Sequence, residues 1–336
     1  MVFQYFCTMA KFLIIRFSSI GDIVLTTPVI RCLKQQVPDA EVHYLTKSTF
    51  KGIQENNSFI DKLWLWENEK DIVSFLKKEK FDFIIDLHNN LRTSILKWKL
   101  NVPAFSFKKL NIEKYLFVRF RMKVLPPIHI VDRYLHTLDF FKVVNDKKGL
   151  DYFLSEDEEK YGLKIKDEIG RQYIALVVGA LKRTKKLPLD KQIELCNKLN
   201  KPIVLLGGKA EVEDGKAIAA GSKNTVVNLC GEITLGESAA IVKNAFAVIT
   251  HDTGLMHIAA AFNKPIISIW GNTVPEFGMS PYMPQNSALN YISQVNNLAC
   301  RPCSKIGFAT CPKVHFKCMN KQDLNKIAGL IAEIKN

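Results

Sequence analysis

The chain has 336 residues, a formal net charge of +14, 47% apolar residues and 24% charged residues. This length suits two domains of about 150 residues each, and the composition is ordinary for a soluble globular protein. No apolar run approaches the roughly 20 residues that cross a bilayer, and the first ten residues lack the features of a signal peptide, with Met9 the expected natural start.

The first half of the chain alternates short apolar strands with helices. The predicted strands are Lys11–Phe17, Glu41–Thr46, Lys62–Trp66 and Phe81–Leu87, and the predicted helices are Gly21–Gln36, Asp71–Lys80 and His129–Val144. Continuous apolar runs between helices are typical of a parallel sheet that is covered on both faces. The charged, weakly periodic stretch Asn145–Lys166 is interpreted as a linker.

A second series of the same kind follows. Its predicted strands are Tyr173–Val178, Pro202–Leu206, Thr225–Asn228, Ala247–Thr250 and Pro265–Trp270, and its predicted helices are Leu189–Leu199, Ala210–Ala220, Leu235–Lys243, Gly254–Phe262 and Gln322–Ile334. We therefore predict an α/β protein with two Rossmann-like, doubly wound parallel-sheet domains, residues 1–160 and 161–320, and a closing helix in residues 321–336. Ligands of such sheets bind beyond the carboxyl ends of the strands, so we expect the site in a cleft between the domains.

The positive net charge indicates an anionic partner. The basic residues are not interleaved with aromatic residues in one stripe, so we expect no nucleic acid. Phosphorylated substrates and peripheral binding to an anionic membrane are favoured instead, because each Lys or Arg near such a surface contributes about 1 kcal/mol.

The stretch 247–270, AVITHDTGLMHIAAAFNKPIISIW, is the most informative part of the sequence. A strand, a tight turn and a helix that begins at Gly254 form an anion site, because the free N–H groups and the helix dipole both favour negative charge. Asp252 and Thr253 are good capping residues, and His257 follows one turn into the helix. The same pattern also fits an ordinary crossover helix, so the other motifs must decide.

Three further motifs follow predicted strands. Asp22 falls in the first turn of a helix, where it could be a catalytic base or simply complement the helix dipole. Four cations follow Gly179-Ala180 and could hold a diphosphate or form a solvated loop; they are Lys182, Arg183, Lys185 and Lys186. The pair Gly207-Gly208 precedes two acids that could bind ribose hydroxyls, Glu211 and Glu213.

These segments together resemble glycosyltransferase family 9, the ADP-heptose:lipopolysaccharide heptosyltransferases. The resemblance runs from about Lys11 to the end of the chain, through SSIGD, DLHNNLRTS, the two glycine elements and DTGLMH. It implies a GT-B fold and an inverting, metal-independent transfer of heptose from ADP-heptose to the inner core of lipopolysaccharide, on Kdo or heptose attached to lipid A. We therefore expect a cytoplasmic enzyme that is peripherally associated with the inner membrane and acts as a monomer.

By position, the resemblance implies a role for each motif residue. Asp22 corresponds to the general base and Lys185 to the lysine that neutralises the donor phosphates, although Leu187 replaces the usual tryptophan and leaves Lys186 as an alternative. The implied donor-binding residues are Gly179, Ala180, Lys186, Glu211 (or Glu213), Asp252, Thr253, Gly254 and His257. The acceptor is expected to bind at Ser19, Gly21, His88, Asn89 and Arg92, and the basic residues around 97–121 would suit the Kdo carboxylates and lipid A phosphates.

Four of the eight cysteines form one cluster, Cys300, Cys303, Cys311 and Cys318. In a cytosolic protein such a cluster suggests a metal before disulfides, so it predicts either a structural zinc site or a plain cysteine-rich loop. We expect no cofactor to be required for catalysis.

Three other functions stay open at this point. A family relative could use another nucleotide-sugar donor or a surface-glycan acceptor, because loops decide specificity on a shared fold. A nucleotide-binding oxidoreductase is disfavoured, since no GxGxxG motif follows the first strand of either domain. A basic nucleic-acid-binding protein is the third alternative.

Overall fold

The computed structural model describes residues 10–170 and 172–334, so the predicted start at Met9 lies outside the described residues. The strands are β1 Lys11–Ile15, β2 Glu41–Lys47, β3 Lys62–Trp66, β4 Phe83–Asp86, β5 Ala104–Ser106, β6 Ile174–Val177, β7 Ile203–Leu206, β8 Val226–Asn228, β9 Ala247–His251, β10 Ile266–Trp270 and β11 Asn290–Gln294. The helices are α1 Ile20–Val24, α2 Thr27–Gln36, α3 Glu69–Lys78, α4 Leu91–Leu100, α5 Asn111–Phe120, α6 Ile130–Leu135, α7 Glu156–Ile169, α8 Leu189–Lys198, α9 Val212–Gly221, α10 Leu235–Asn244, α11 Gly254–Ala261, α12 Lys317–Asn320 and α13 Leu324–Glu333.

The first compact unit comprises Met1–Lys109 and Ile128–Phe153. Its sheet has the order β3-β2-β1-β4-β5, and all of its strands are parallel. Ile14 in the central strand lies opposite Tyr44 of β2 and Ile85 of β4, and all three are fully buried. The strand order reverses between β1 and β4, so the carboxyl ends of these two strands are where a ligand is expected in this class of sheet.

The second unit comprises Leu110–Pro127 and Leu154–Asn336. Its parallel sheet has the order β11-β10-β9-β6-β7-β8. Taken from β8 to β11, this is the 3-2-1-4-5-6 strand order of a dinucleotide-binding doubly wound sheet, with its reversal between β6 and β9. Leu176 of β6 lies between Leu205 and Ile249 in the core. The predicted pair of doubly wound parallel-sheet units is confirmed.

The unit boundaries differ from those drawn on the sequence. The predicted boundary after residue 160 falls inside α7, and residues 110–127 are grouped with the second unit. The reason for this grouping is a small apolar cluster in which Phe117 of α5 packs against Val274 and Phe277. The predicted closing segment contains α13, which packs against α8 within the second unit.

The stretch 145–166, interpreted as a linker, contains the boundary between the two units after Phe153, but its second half belongs to the helix α7. Ser155 caps the helix by accepting a hydrogen bond from the Glu158 backbone, and the Glu158 carboxylate accepts one from the Ser155 backbone. Gly162 lets α7 approach α10 closely, since a Cβ there would lie 2.8 Å from the Cβ of Ala240. A capping box and tertiary packing thus outweigh the weak apolar periodicity.

Two predicted helices are also interrupted. The helix predicted from Gly21 is divided into α1 and α2, because Pro28 lacks an N–H group and its ring would clash with the preceding turn. In place of the helix predicted over His129–Val144, the α-helix α6 ends at Leu135 and a 3-10 helix, His136–Phe141, follows it. Phe141 of this 3-10 helix packs edge-on against Phe83.

Strands β5 and β11 were missed, because neither has a continuous apolar run. No helix in the described ranges combines the length and the apolar character that a membrane span requires.

Candidate active site

The first group of site residues lies beyond the carboxyl end of β1. Ser19 precedes α1, and its hydroxyl and its backbone N–H both donate to the Asp22 carboxylate, at 2.8 and 3.2 Å. Gly21 is buried in the same short helix. The structure therefore brings together Ser19, Gly21 and Asp22, as their adjacency in the sequence requires.

Arg16 holds the Asp22 carboxylate from the other side. Its Nη2 lies 2.8 Å from Asp22 Oδ1, its Nε donates to the Ser18 carbonyl at 2.6 Å, and its Nη1 donates to the Leu87 carbonyl. Arg16 is buried, whereas one-fifth of the Asp22 side chain is exposed to solvent. A guanidinium with three fixed contacts orients the carboxylate and stabilises its charged form. The sequence reasoning missed Arg16, although a cation at the end of a buried strand was a visible signal.

The loop after β4 carries the predicted acceptor residues His88 and Asn89. Both backbone N–H groups donate to Asp86 Oδ1, at 3.0 and 2.7 Å, and the buried Asp86 carboxylate also pairs with Lys97 Nζ at 2.8 Å. The Asn89 side chain donates to the Phe107 carbonyl at 2.9 Å, so it supports the loop. Asp86 is therefore the residue that shapes this loop.

His88 is neutral at pH 7. Burial, and then the positive charges of Arg16 and Lys109, lower the pKa of His88 to about 4. The ring packs edge-on against Phe17, and the exposed Arg92 lies over the same Phe17 ring, with 5.9 Å between its Cζ and the ring centroid. The neutral imidazole of His88 and the guanidinium of Arg92, which stands on a long, flexible side chain, can form hydrogen bonds with a sugar or a carboxylate.

The second group lies beyond the carboxyl ends of β6 and β9. Lys185 Nζ pairs with Asp252 Oδ2 at 2.6 Å, and both side chains are about 15% exposed. Asp252 Oδ2 also accepts a hydrogen bond of 2.9 Å from the buried Thr273 hydroxyl, which follows β10. Side chains from the segments that follow β6, β9 and β10 thus meet at the Asp252 carboxylate. This carboxylate holds the Lys185 ammonium group at the switch point of the sheet.

Lys186 points to a different pair of acids. It forms an ion pair with Asp214 and lies 3.9 Å from Glu211 Oε1. Glu211 in turn accepts from the Gly208 backbone at 3.1 Å. Gly179 makes room for this arrangement, since a Cβ there would lie 2.6 Å from Glu211 Cδ. The structure brings Glu211 into the group, whereas Glu213 is exposed and pairs with Lys216.

His251 is a site-supporting residue that the sequence reasoning missed. Its Nε2 accepts from the Leu187 backbone at 2.9 Å, and its Nδ1 lies 3.3 Å from the Gly179 carbonyl. Burial lowers the pKa of His251 to about 4, so the ring is neutral and can donate through Nδ1 while accepting at Nε2. It fixes both ends of the 179–187 segment, which carries Ala180 and Lys185.

The helix α11 begins as predicted. Thr253 is its N-cap residue, Gly254 is its first residue, and His257 is buried within it. The Thr253 hydroxyl contacts the Thr250 hydroxyl at 3.1 Å instead of capping the helix. The N–H groups of the first turn have no partner inside a helix, which makes this end suited to a phosphate group.

The cysteine-rich segment supports the same region. Arg301 donates to the Gly271 carbonyl at 2.6 Å and to the Thr273 carbonyl at 2.9 Å. The Thr184 hydroxyl accepts from the Phe308 backbone at 2.7 Å. The segment therefore holds both Thr273, which contacts Asp252, and the loop of Lys185.

The four clustered cysteines do not form a closed metal site in this geometry. Cys300 Sγ lies 3.8 Å from His315 Nε2, and Cys303 donates to the Cys300 carbonyl. Burial and the neighbouring sulfurs raise the pKa of Cys303 to about 12 and that of Cys318 to about 11. A tetrahedral zinc needs sulfurs about 3.8 Å apart, and among the described residues only Glu41, His43 and Glu79 offer three ligand atoms mutually within 4.8 Å.

The Glu41, His43 and Glu79 group is an ion-pair network. Trp64 donates to His43 Nδ1 at 3.0 Å, so the other ring nitrogen carries the proton and donates to Glu41 at 2.7 Å. Both carboxylates are paired with lysines, Lys11 and Lys62. These partners occupy the atoms that a cation would need.

Comparison with known proteins shows the family of this chain. The sequence profile described as "Glycosyltransferase family 9 (heptosyltransferase)" matches residues 71–307. Lipopolysaccharide heptosyltransferase 1 of Campylobacter coli is 27% identical over 289 residues, which is 78% of this chain and 84% of that protein.

Two solved structures share the fold. The Escherichia coli ADP-heptose lps heptosyltransferase II superposes with a TM-score of 0.70 at 19% identity and covers 96% of this chain and 99% of its own. The iron-containing dodecameric glycosyltransferase TibC from enterotoxigenic E. coli superposes with a TM-score of 0.58 at 12% identity, covering 97% of this chain and 76% of that one. Two parallel α/β units of the GT-B class are thereby confirmed.

Proposed function

Because the chain belongs to glycosyltransferase family 9 (heptosyltransferase), we propose that it transfers heptose from ADP-heptose to the inner core of lipopolysaccharide, with inversion at the anomeric carbon. The Lys185–Asp252 pair beyond β6 and β9 carries this proposal, because it holds a cation beside the first turn of α11. The names of the Campylobacter coli relative and the E. coli structure support the acceptor and the donor, respectively.

The proposed reaction is one displacement. An acceptor hydroxyl oxygen attacks the anomeric carbon from the face opposite the diphosphate, and the bond from that carbon to the phosphate oxygen breaks. The electron pair of the broken bond stays on ADP, and Asp22 takes the hydroxyl proton. Arg16 and Ser19 would orient the carboxylate for this proton.

The leaving group gains negative charge as the bond breaks. Lys185 and the N–H groups at the start of α11 would stabilise that charge, and Lys186 would contribute from the neighbouring loop. Glu211 would accept hydrogen bonds from the ribose hydroxyls near Gly179 and Gly208. Asp252 would hold Lys185 in place until the diphosphate replaces the carboxylate as the partner of the lysine.

The acceptor would meet the first unit. His88, Asn89 and Arg92 offer neutral and cationic donors that suit sugar hydroxyls and Kdo carboxylates. A lipid-linked acceptor would place the enzyme at the cytoplasmic face of the inner membrane. One chain carries both the proposed base and the proposed donor residues, so a monomer would suffice for catalysis.

We further propose that the transfer needs no metal, since protein cations can take the role of a divalent ion at the diphosphate. Structural zinc at the four cysteines stays a prediction of their spacing. Metal analysis of the purified protein, compared with a Cys303→Ser, Cys318→Ser double variant, tests it. One zinc per chain in the wild type and none in the variant would support the zinc site, and no zinc in either would reject it.

Incubation with ADP-heptose and Kdo–lipid A, with ADP release as the readout, tests the proposed function. We expect turnover in the presence of EDTA. Asp22→Asn should lower kcat by about 10²–10⁴-fold while ADP binding stays intact. Full activity of that variant would reject Asp22 as the base, and turnover only with another nucleotide sugar would reject the donor assignment.

A further inference from the structure

The helix α5 has apolar side chains on two opposite faces. Phe117 faces the interior of the second unit, to which α5 belongs, and packs edge-on against Phe277 with 6.0 Å between ring centroids. Ile112, Tyr115 and Phe120 lie on the other face and are 72%, 57% and 58% exposed. An ordinary surface helix has one apolar face and one polar face. The outward face of α5 is therefore apolar without a partner among the described residues.

Helical geometry places these residues on one side. At 100° per residue, positions 112, 115, 119 and 120 fall within less than half of the helix circumference. The Tyr115 and Phe120 rings contact each other edge-on, with centroids 6.2 Å apart. Met122 and Val124 continue the exposed apolar surface just after the helix ends. The exposed apolar side chains are thus spread over the 13 residues from Ile112 to Val124.

Exposed cations lie within and beside this apolar surface. Arg119 and Lys123 are exposed, and only one acid, Glu113, lies between residues 110 and 124. Arg121 donates hydrogen bonds to the carbonyls of Ala299 and Pro302, so it anchors the end of the helix to the rest of the second unit. A helix that is anchored at one end and carries apolar and cationic side chains on its outward face has the composition of an interfacial membrane helix.

We propose that the outward face of α5, with Met122 and Val124, is a docking surface for an anionic lipid bilayer. The aromatic and aliphatic side chains would enter the headgroup region, and Arg119 and Lys123 would contact lipid phosphates. A second copy of this chain fits less well as the occupant, because the net charge of +14 makes two copies repel each other. This surface rests on the membrane placement proposed above and identifies the part of the chain that would make the contact; its test uses neither the donor nor the acceptor.

Sedimentation with lipid vesicles tests the proposal. The full-length protein should bind vesicles of phosphatidylglycerol mixed with phosphatidylcholine, and bind vesicles of phosphatidylcholine alone at least tenfold more weakly. Ile112→Ser, Tyr115→Ser and Phe120→Ser combined should abolish most of the binding. Arg119→Gln with Lys123→Gln should weaken it about 30-fold, which corresponds to about 1 kcal/mol for each cation.

A matched control replaces exposed apolar side chains elsewhere, Phe75→Ser with Leu163→Ser, and should bind vesicles like the wild type. Circular dichroism and ADP binding establish that the triple variant is folded. Wild-type affinity of the folded triple variant would overturn the proposal. So would a wild-type dimer in size-exclusion chromatography that becomes a monomer in the triple variant while neither protein binds vesicles.

Discussion

Lys185 and Asp252 form an ion pair at the switch point of the second sheet, with 2.6 Å between Nζ and Oδ2. Lys185 follows β6, and Asp252 directly follows β9, the neighbouring strand. The carboxylate is also held by Thr273 beyond β10. The lysine is thereby kept in one position before any ligand binds, which lowers the cost of ordering it during the reaction.

Replacing Lys185 should impair both donor binding and turnover. We expect Lys185→Ala to lower kcat by about 10²–10³-fold, because a cation at the leaving diphosphate acts mainly on the transition state. Lys185→Arg should retain more activity, since it keeps the charge. Steady-state ADP release measures both. The control is Lys223→Ala, an exposed lysine of the same unit. Equal kcat in Lys185→Ala and the control would contradict the assignment.

Arg16 should act on turnover through Asp22. Arg16→Lys keeps the positive charge but cannot make the contacts to Asp22, Ser18 and Leu87 together. We expect at least a tenfold lower kcat with unchanged ADP affinity, measured by kinetics and calorimetry.

The control for this prediction is Arg31→Lys. Arg31 is a buried arginine of the same unit that pairs with Asp146 and Asp151. Its replacement should lower the melting temperature and leave kcat per folded molecule unchanged. A similar kcat loss in both variants would show that Arg16 has only a structural role.

His251 should make stability depend on pH. Its pKa is about 4 in the folded chain and about 6.5 when exposed, so the unfolded chain binds the extra proton between these values. Stability is therefore complete above about pH 6.5 and falls as the pH approaches 4, by at most about 1.4 kcal/mol per pH unit.

Urea unfolding at several pH values measures this effect. His251→Gln should be less stable at pH 7.5 by about 1–2 kcal/mol and should show a flatter pH dependence. The control His136→Gln replaces an exposed histidine and should match the wild type. An unchanged slope in His251→Gln would contradict the prediction.

Gly179 should matter for donor binding more than for folding. In Gly179→Ala the new Cβ would lie 2.6 Å from Glu211 Cδ, and the flexible carboxylate can move away at little cost. We expect the KM for the donor to rise about tenfold with a small change in melting temperature. The matched control is Gly329→Ala in α13, where no atom lies within 4 Å of the new Cβ. It should be neutral or stabilising by up to about 1 kcal/mol.

Much of the second sheet could be predicted, because most of its strands are short, largely apolar runs between helices. β6, β7, β9 and β10 are buried along their whole length, and the sequence shows this directly. β11 could not be predicted in the same way, since Asn290–Gln294 is mixed in polarity and is recognisable only by its pairing with β10. The start of α7 could have been predicted from the capping-box residues Ser155 and Glu158, but the many charged residues of this helix are also typical of a linker.

The sequence by itself determined the two parallel-sheet units, the positions of Asp22, Lys185 and Asp252 at strand ends, and the family resemblance, because apolar periodicity and local motifs are encoded in neighbouring residues. Only the tertiary structure decided which side chains meet. Arg16 on Asp22, Thr273 on Asp252 and His251 on Leu187 are contacts between separate segments, and their partners depend on strand order. The tertiary structure also determines which face of α5 is exposed, because the burial of Phe117 fixes which side of that helix faces the solvent.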